Sequence, residues 1–449
     1  MRIVVAGAGA GKTTTMVSRI VRCQIPEGKV VYCVAFTNTA ADNIRSKLGE
    51  AALTAGKIKV STIHSFLYSE LVLPFYHLLY DKRFQGISEI SLPNDYRYHN
   101  SRIKELDEQG LLHQTKIPER AKWVVYKSSK DKALTRRMRA KVLDMFAVYC
   151  GGIYVDEAQD IDKDVQAVLM ALDAAGIEIE LHGDPKQDVK GHGCFRALID
   201  TCGNVEYQSE CHRCPPSHLL LSNTLASALE QQTADTDRRN GAVSILFEAD
   251  LDVADHITKH GYGLCYISHK NDRYETHATV TSDGRLRTLH HEILRAIGDK
   301  HGSTLNDLEK NRYAYYAASS MIEAVANGDT PSNVVGKYIN AGFFDYDNKR
   351  FARMCDVFTG NGDAGDDKIV VSSIEAIKGL ESEKCLFILT TDLAPYLFGE
   401  KTDDNRTKHL LYVALTRSLS ELMILVTEEV EQSYGREKIG VALERMLKQ

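Results

Sequence analysis

Residues Ala6 to Thr14 read Ala-Gly-Ala-Gly-Ala-Gly-Lys-Thr-Thr, behind an Ile3-Val4-Val5 strand and ahead of an amphipathic stretch. That spacing suits a loop that cradles a triphosphate. Gly7, Gly9 and Gly11 let the backbone curl so that successive N–H groups point at phosphate oxygens, Lys12 adds a point charge, and the Thr13 hydroxyl is placed to ligate Mg²⁺. The strict pattern opens on Gly, where this chain has Ala6. Ala6, Gly7, Ala8, Gly9, Ala10, Gly11, Lys12, Thr13 and Thr14 are thus the candidate nucleotide-binding residues. Taken alone, the loop leaves a kinase, a motor and a switch open.

Two later segments end strands in polar residues suited to the same chemistry. Val155-Asp156-Glu157-Ala158-Gln159-Asp160 offers paired acids: Asp156 to hold Mg²⁺, directly or through water, and Glu157 to orient and deprotonate an attacking water. In His182-Gly183-Asp184-Pro185-Lys186-Gln187, the glutamine is placed to report a γ-phosphate to a neighbouring surface. His212-Arg213, Lys378-Gly379-Leu380-Glu381 and Leu411-Tyr412-Val413-Ala414-Leu415-Thr416-Arg417 each read, in isolation, as a turn or a salt-bridged helix. Their arginines matter because phosphoryl transfer needs positive charge opposite the developing negative oxygens, and Lys12 cannot supply all of it.

The elements that position these residues alternate as βαβα: Ile3 to Val5, a helix with Met16, Val17, Ile20 and Val21 inward, Val30 to Phe36, then Ala40, Ile44 and Leu48. That alternation predicts a parallel α/β sheet, with ligands gathered at the carboxyl ends of its strands. Ile153 to Val155 and Ile177 to Leu181 continue the pattern. A second α/β pattern begins at Leu264 to Ile267 and resumes at Ile369 to Val371, Leu386 to Leu389 and Leu422 to Val426, around a mainly helical stretch. A loop rich in glycine and aspartate, Gly360 to Asp367, marks where that stretch ends.

At 449 residues, with 43% hydrophobic and 26% charged residues, the chain is globular in composition and long enough for two or more domains. No stretch approaches the ~18 apolar residues of a membrane span and no signal-peptide core is present, so a soluble cytoplasmic protein is expected. The ten cysteines are irregularly spaced and read as reduced thiols. Cys194, Cys202, Cys211 and Cys214 have the residue types for a metal centre, but no second close pair opposes the Cys211/Cys214 pair.

The net charge of −6 means that any nucleic-acid surface must be local. Residues 116 to 141 supply one, with ten Lys or Arg against Glu119 and Asp131. Trp123 and Tyr126 lie within this run as stacking platforms, and Lys127, Lys130, Arg136, Arg137 and Arg139 are the expected phosphate contacts. The bland alternative is a solvated helix face.

Taken in order, the motifs resemble the superfamily 1 DNA helicases and translocases of the UvrD, Rep and PcrA family, from Ala6 to Arg417. Family P-loops commonly begin with Ala, as here. The resemblance implies two RecA-like P-loop domains, parallel sheets flanked by helices, each with a mainly helical insertion: 1–66 with 146–208, inserted 67–145; then 209–285 with 356–449, inserted 286–355. It implies ATP and Mg²⁺ as cofactors, with Asp156 and Thr13 on the metal, Glu157 activating water and Gln187 on the γ-phosphate. Arg213 and Arg417 match the arginine fingers, Glu381 the acid that bonds the ribose, and His212 the position of the aromatic that stacks on adenine. Phe36-Thr37-Asn38 and Ser61-Thr62-Ile63-His64 match strand-contacting motifs, so Thr37, Asn38, Thr62 and His64 are expected on single-stranded or tailed duplex DNA.

The chain departs from the family in four places. The adenine-reading Gln upstream of the P-loop has no counterpart, His212 replaces a larger ring, Lys190 and His192 stand where DNA-stacking aromatics are usual, and Glu375 replaces a His. Stacking is worth roughly 1 to 3 kcal/mol per base, so its loss weakens grip on the strand without touching hydrolysis. The second insertion is also much reduced. With Thr62 to Leu67 and Pro74-Phe75, this short architecture is similar to the Gabija B proteins, helicase-like members of an antiphage system that work with a nuclease partner, Gabija protein A. The expected function is an ATP-dependent 3′ to 5′ translocase or helicase. Its rivals are a DNA-gated or nucleotide-sensing ATPase that regulates a nuclease without unwinding, and a small-molecule P-loop kinase.

Overall fold

The computed structural model describes residues 1–54, 56–93, 95–129, 131–276, 282–302, 304–359 and 368–447. Lys130 and the loop Gly360 to Asp367 lie outside the described residues. The chain divides into two compact units. One joins Met1–Arg83, Ile117–His277 and Ile369–Gln449; the other joins Phe84–Lys116 and Ala278–Lys368.

The first unit contains two six-stranded sheets, both parallel throughout. The first runs Ile58–Thr62, Val30–Ala35, Cys150–Val155, Ile179–Gly183, Arg2–Ala6, Val205–Gln208. Arg2–Ala6 and Val30–Ala35 are buried along almost their whole length and read as near-continuous apolar runs, whereas Ile179–Gly183 is buried throughout yet alternates Glu180 and His182 with Ile179 and Leu181. Helix Lys12–Arg22 packs Met16, Val17 and Ile20 against Cys33 and Ile44. Val21, expected to face inward, is 59% exposed. At 3.6 residues per turn it sits about 140° round from Met16, past the rim of the buried stripe.

The second sheet runs Ala242–Phe247, Ser418–Val426, Ser382–Leu389, Leu264–Ile267, Ile369–Ser373, Tyr274–Thr276. The fold is therefore α/β, with two parallel sheets flanked by helices. The four strands expected here are all present. Ala242–Phe247 and Tyr274–Thr276, together with Ile58–Thr62 and Val205–Gln208 of the first sheet, were not foreseen. All four are edge strands; three of them interleave polar residues, while Ala242–Phe247 carries an Ile245-Leu246-Phe247 run that the reading passed over.

The basic run forms helices Ile117–Val125 and Ala133–Tyr149 in the first unit. Arg136, Arg137, Lys127 and Tyr126 are exposed. Arg139, expected on phosphate, is buried instead: its Nη2 lies 2.9 Å from Asp131 and donates to Trp123 O and Tyr80 Oη. Trp123 is half-buried beneath the Arg120 guanidinium, 4.2 Å from the ring centre, and the exposed Tyr126 ring carries the Lys127 ammonium at 4.7 Å.

The second unit is mainly helical. Helices Ser282–His301, Asp307–Ala326, Pro331–Asn340 and Asn348–Thr359 enclose Leu289, Ile293, Ala317, Met321, Val335 and Met354. Helix Tyr96–Glu108 joins it through a charge cluster: Arg102 pairs with Glu292, Glu105 with Arg295 at 2.9 Å, and Arg353 with Glu292 at 3.2 Å. Among the described residues no helix is long and apolar enough to cross a membrane.

Candidate nucleotide site

The strand order brings three expected segments together. Cys150–Val155, Ile179–Gly183 and Arg2–Ala6 are neighbours, so Asp156 and Glu157, Asp184 to Gln187, and the glycine-rich loop all leave the same sheet edge side by side. The two motifs expected to contact the strand end the adjacent pair Val30–Ala35 and Ile58–Thr62. One end of one sheet thus carries the phosphate chemistry on one half and the expected DNA contacts on the other.

The loop is shaped by what lies against it. Gly9 takes φ of +70°, and a Cβ there would overlap Arg213 Cβ; a Cβ on Gly7 would overlap the Gln232 amide. Both close approaches require glycine. Gly11 caps helix Lys12–Arg22 with no side-chain bond and no acid in the first turn, so the leading N–H groups are left for an anion. Lys12 Nζ rests on the Ala6 and Gly7 carbonyls at 3.2 and 3.4 Å. Thr14 is exposed and accepts from Lys47.

Thr13 Oγ1 donates to Asp156 Oδ2 at 2.6 Å. Burial and the neighbouring Glu157 push the Asp156 carboxyl above its usual range, so this acid gains from a cation beside it. Hydroxyl and carboxylate oxygens at a buried strand end fit Mg²⁺. Burial opposes charge on Glu157 as well, yet Lys12, Lys378, the Gln159 amide and Arg417 together hold it below the ordinary carboxylate range. Its φ of 56° is one of two positive values among the described non-glycine residues, the other being Asp81. Such strain persists where surroundings fix it. Gln159 does so, donating to Glu157 Oε2 and accepting the Asp184 N–H at 3.1 Å.

Gln187 is buried and donates to Asp184 Oδ2 at 3.0 Å, while Lys186 pairs with Asp184 at 2.9 Å. From the second sheet's side, Lys378 Nζ reaches Asp160 Oδ1 at 2.8 Å. Arg213 and Glu381, expected on γ-phosphate and ribose, pair with each other at 2.5 Å. Arg417 is fully buried; its guanidinium donates to Val413 O, Leu380 O and Thr416 Oγ1, and among the described residues it forms no ion pair with a carboxylate. Burial and the Arg213 charge both work against it. Arg213 is already paired with Glu381, which leaves Arg417 as a buried cation with no anionic partner among the described residues.

His212 sits over the loop, its N–H donating to Gly9 O at 3.0 Å, with the exposed ring held by Asp235 at 2.8 Å. Thr37 and Thr62 cap the helices that follow their strands, leaving Asn38 exposed and His64 half-buried. Lys190 lies over the Phe36 ring at 5.9 Å. The four cysteines do not gather as a metal site among the described residues; Cys211 Sγ instead bonds Ala8 O, and Cys214 Sγ bonds Thr416 O. Gln159, Asp160 and Lys378 lay inside quoted motifs without a role. Gln232 had no sequence signal at all.

Residues 1–192 match the AAA domain family AAA_19. Over 193 residues the chain is 31% identical to Gabija protein GajB of Bacillus cereus, covering 42% of this chain and 37% of that one. The chain is also 32% identical over 132 residues to an ATP-dependent helicase/nuclease subunit of Clostridium acetobutylicum, covering 24% of its own length and 10% of that protein. It therefore spans well under half of either relative. Among solved structures it is similar to an arterivirus nonstructural protein 10 (helicase) in complex with DNA, at 11% identity and a TM-score of 0.38, over 94% of this chain and 59% of that one. The AAA match holds the P-loop, Asp156, Glu157 and Gln187, whereas Arg213, Glu381 and Arg417 lie beyond it.

Proposed function

We propose that this UvrD-like chain hydrolyses ATP in the cleft between its two parallel sheets and uses the cycle to move 3′ to 5′ along single-stranded DNA. The observation that carries the reading is Arg417: a fully buried guanidinium without a carboxylate, beside Arg213 and close enough to Glu157 to hold its charge. A γ-phosphate supplies the missing anion. Thr13 and Asp156 would hold Mg²⁺, which neutralises phosphate charge when bound. Glu157, kept ionised, orients the attacking water, and Gln187 senses the phosphate. Lys12, Asp156, Glu157 and Gln187 come from the first sheet and Arg417 from the second, so closure of the cleft completes the site. Thr37, Asn38, Thr62, His64, Lys127, Arg136 and Arg137 would hold the strand. The test is ATPase rate with and without single-stranded DNA: DNA should stimulate turnover and Lys12→Ala should abolish it, and turnover surviving in Lys12→Ala would sink the assignment.

A second reading keeps the ATPase and removes the unwinding: a DNA-gated protein that regulates a nuclease partner. The likeness to a Gabija protein and the Lys190 and His192 stretch, which lacks stacking aromatics, favour it. Strand displacement on a 3′-tailed duplex separates the two, since only the helicase releases product when ATP is added.

A further inference from the structure

The backbone of Ala8, in the middle of the P-loop, is held by side chains from outside the first sheet. Tyr412, on helix Arg406–Leu415, accepts the Ala8 N–H at 3.2 Å and donates its hydroxyl proton to Gln232 Oε1 at 2.9 Å. Gln232 Nε2 closes the ring by donating to Ala8 O at 3.1 Å. All three residues are buried, so breaking any one bond strands a polar group away from water. Gln232 is itself fixed, its N–H and carbonyl both bonded to the Asn223 amide at 2.8 Å. Gly7 exists in this setting to admit it, since any Cβ there would overlap Gln232.

Tyr412 touches a second part of the site. The Lys186 ammonium lies 5.0 Å from its ring centre, and Lys186 shares Asp184 with Gln187. Arg417 follows shortly after the helix that carries Tyr412. One side chain therefore contacts the P-loop backbone and the support of Gln187, and belongs to the segment that delivers Arg417.

We propose that Gln232 and Tyr412 are positioning residues that set the P-loop backbone at Ala8 and couple its movement on nucleotide binding to the lobe carrying Arg417. The proposal rests on the cleft being the site of ATP hydrolysis. Neither side chain touches the nucleotide. Their effect falls on turnover, because the loop's own amides and Lys12 remain to bind phosphate while the linkage to Arg417 is lost.

Two near-isosteric variants test this, Y412F and Q232L, with the double variant. Each single variant is expected to keep nucleotide affinity within about threefold and to lose roughly tenfold or more of DNA-stimulated kcat. The double variant should be no worse than the weaker single, because two members of one ring act as a unit. Turnover like wild type in both singles overturns the proposal. So do losses that multiply in the double variant alongside lowered melting temperature and weakened nucleotide binding, which mark a merely structural role. If Y412F does not fold, Q232L, at a loop position, carries the test by its split between kcat and KM. Hydrolysis that survives Lys12→Ala would instead sink the cleft reading, so the two failures are told apart.

Discussion

Lys378 Nζ lies 2.8 Å from Asp160 Oδ1, tying the second sheet's side of the cleft to the strand-end segment that carries Glu157. Both side chains are nearly buried, at 15% and 8% exposure. Removing one partner of such a pair leaves the other charge unsatisfied, at a cost on the order of 3 kcal/mol. K378A should therefore lower the melting temperature more than the double variant K378M/D160N, in which both charges go together. Equal losses in the two would show that the pair carries no such energy.

The Thr13 and Asp156 contact sets an expectation for metal removal. T13A and D156N should each weaken nucleotide binding measured in Mg²⁺ by tenfold or more while changing binding in EDTA little, because these oxygens act through the cation (~1.4 kcal/mol per tenfold). EDTA should also abolish turnover of the unaltered chain. Variants that bind equally poorly in Mg²⁺ and in EDTA would place their damage in the loop itself.

The glycine spacing and the Asp156-Glu157 pair stood out because each needs a particular residue type at a particular strand end, whereas Arg213 and Arg417 were singled out by the resemblance alone, Arg417 lying between helix Arg406–Leu415 and strand Ser418–Val426. Strand order was not in the sequence; it is what sets Ile179–Gly183 between Cys150–Val155 and Arg2–Ala6, so that the three strand ends lie in a row. Arg139 shows the limit of counting charges: its place among Lys and Arg suggested phosphate, but it sits about 200° round the helix from the exposed Arg137 and meets Asp131 instead of solvent. Gln232 was illegible because its role depends on a loop passing over Gly7, which no periodicity encodes.

Replacing Lys127, Arg136 and Arg137 with Ala should weaken single-stranded DNA binding and reduce the slope of log affinity against log salt by about 2, if each contacts one phosphate. Arg139→Ala should instead lower stability, since it strands Asp131, and should leave the salt slope unchanged. A slope that moves only with Arg139 would reverse the assignment.

Glu105 gives a pH signature within the second compact unit. Burial opposes its charge, but hydrogen bonds from Arg295 and Arg102, with the Arg353 charge, outweigh it and lower the carboxyl from 4.5 to about 2. A depressed folded pKa stabilises above the unfolded value, and that stability is lost as pH falls from about 4.5 towards 2. Thermal melting followed by circular dichroism should show wild type above E105Q at neutral pH, with the gap closing through that window. A gap independent of pH would contradict it.

The most direct test of the cleft is single-turnover ATP hydrolysis by R417A in saturating single-stranded DNA, with nucleotide affinity measured in parallel. An arginine that meets the transferring phosphoryl group is worth about 10³-fold or more, so hydrolysis should fall by at least that much while affinity changes only a few-fold. Hydrolysis within tenfold of wild type would mean that Arg417 does not face the phosphate and that the two sheets do not share one active site.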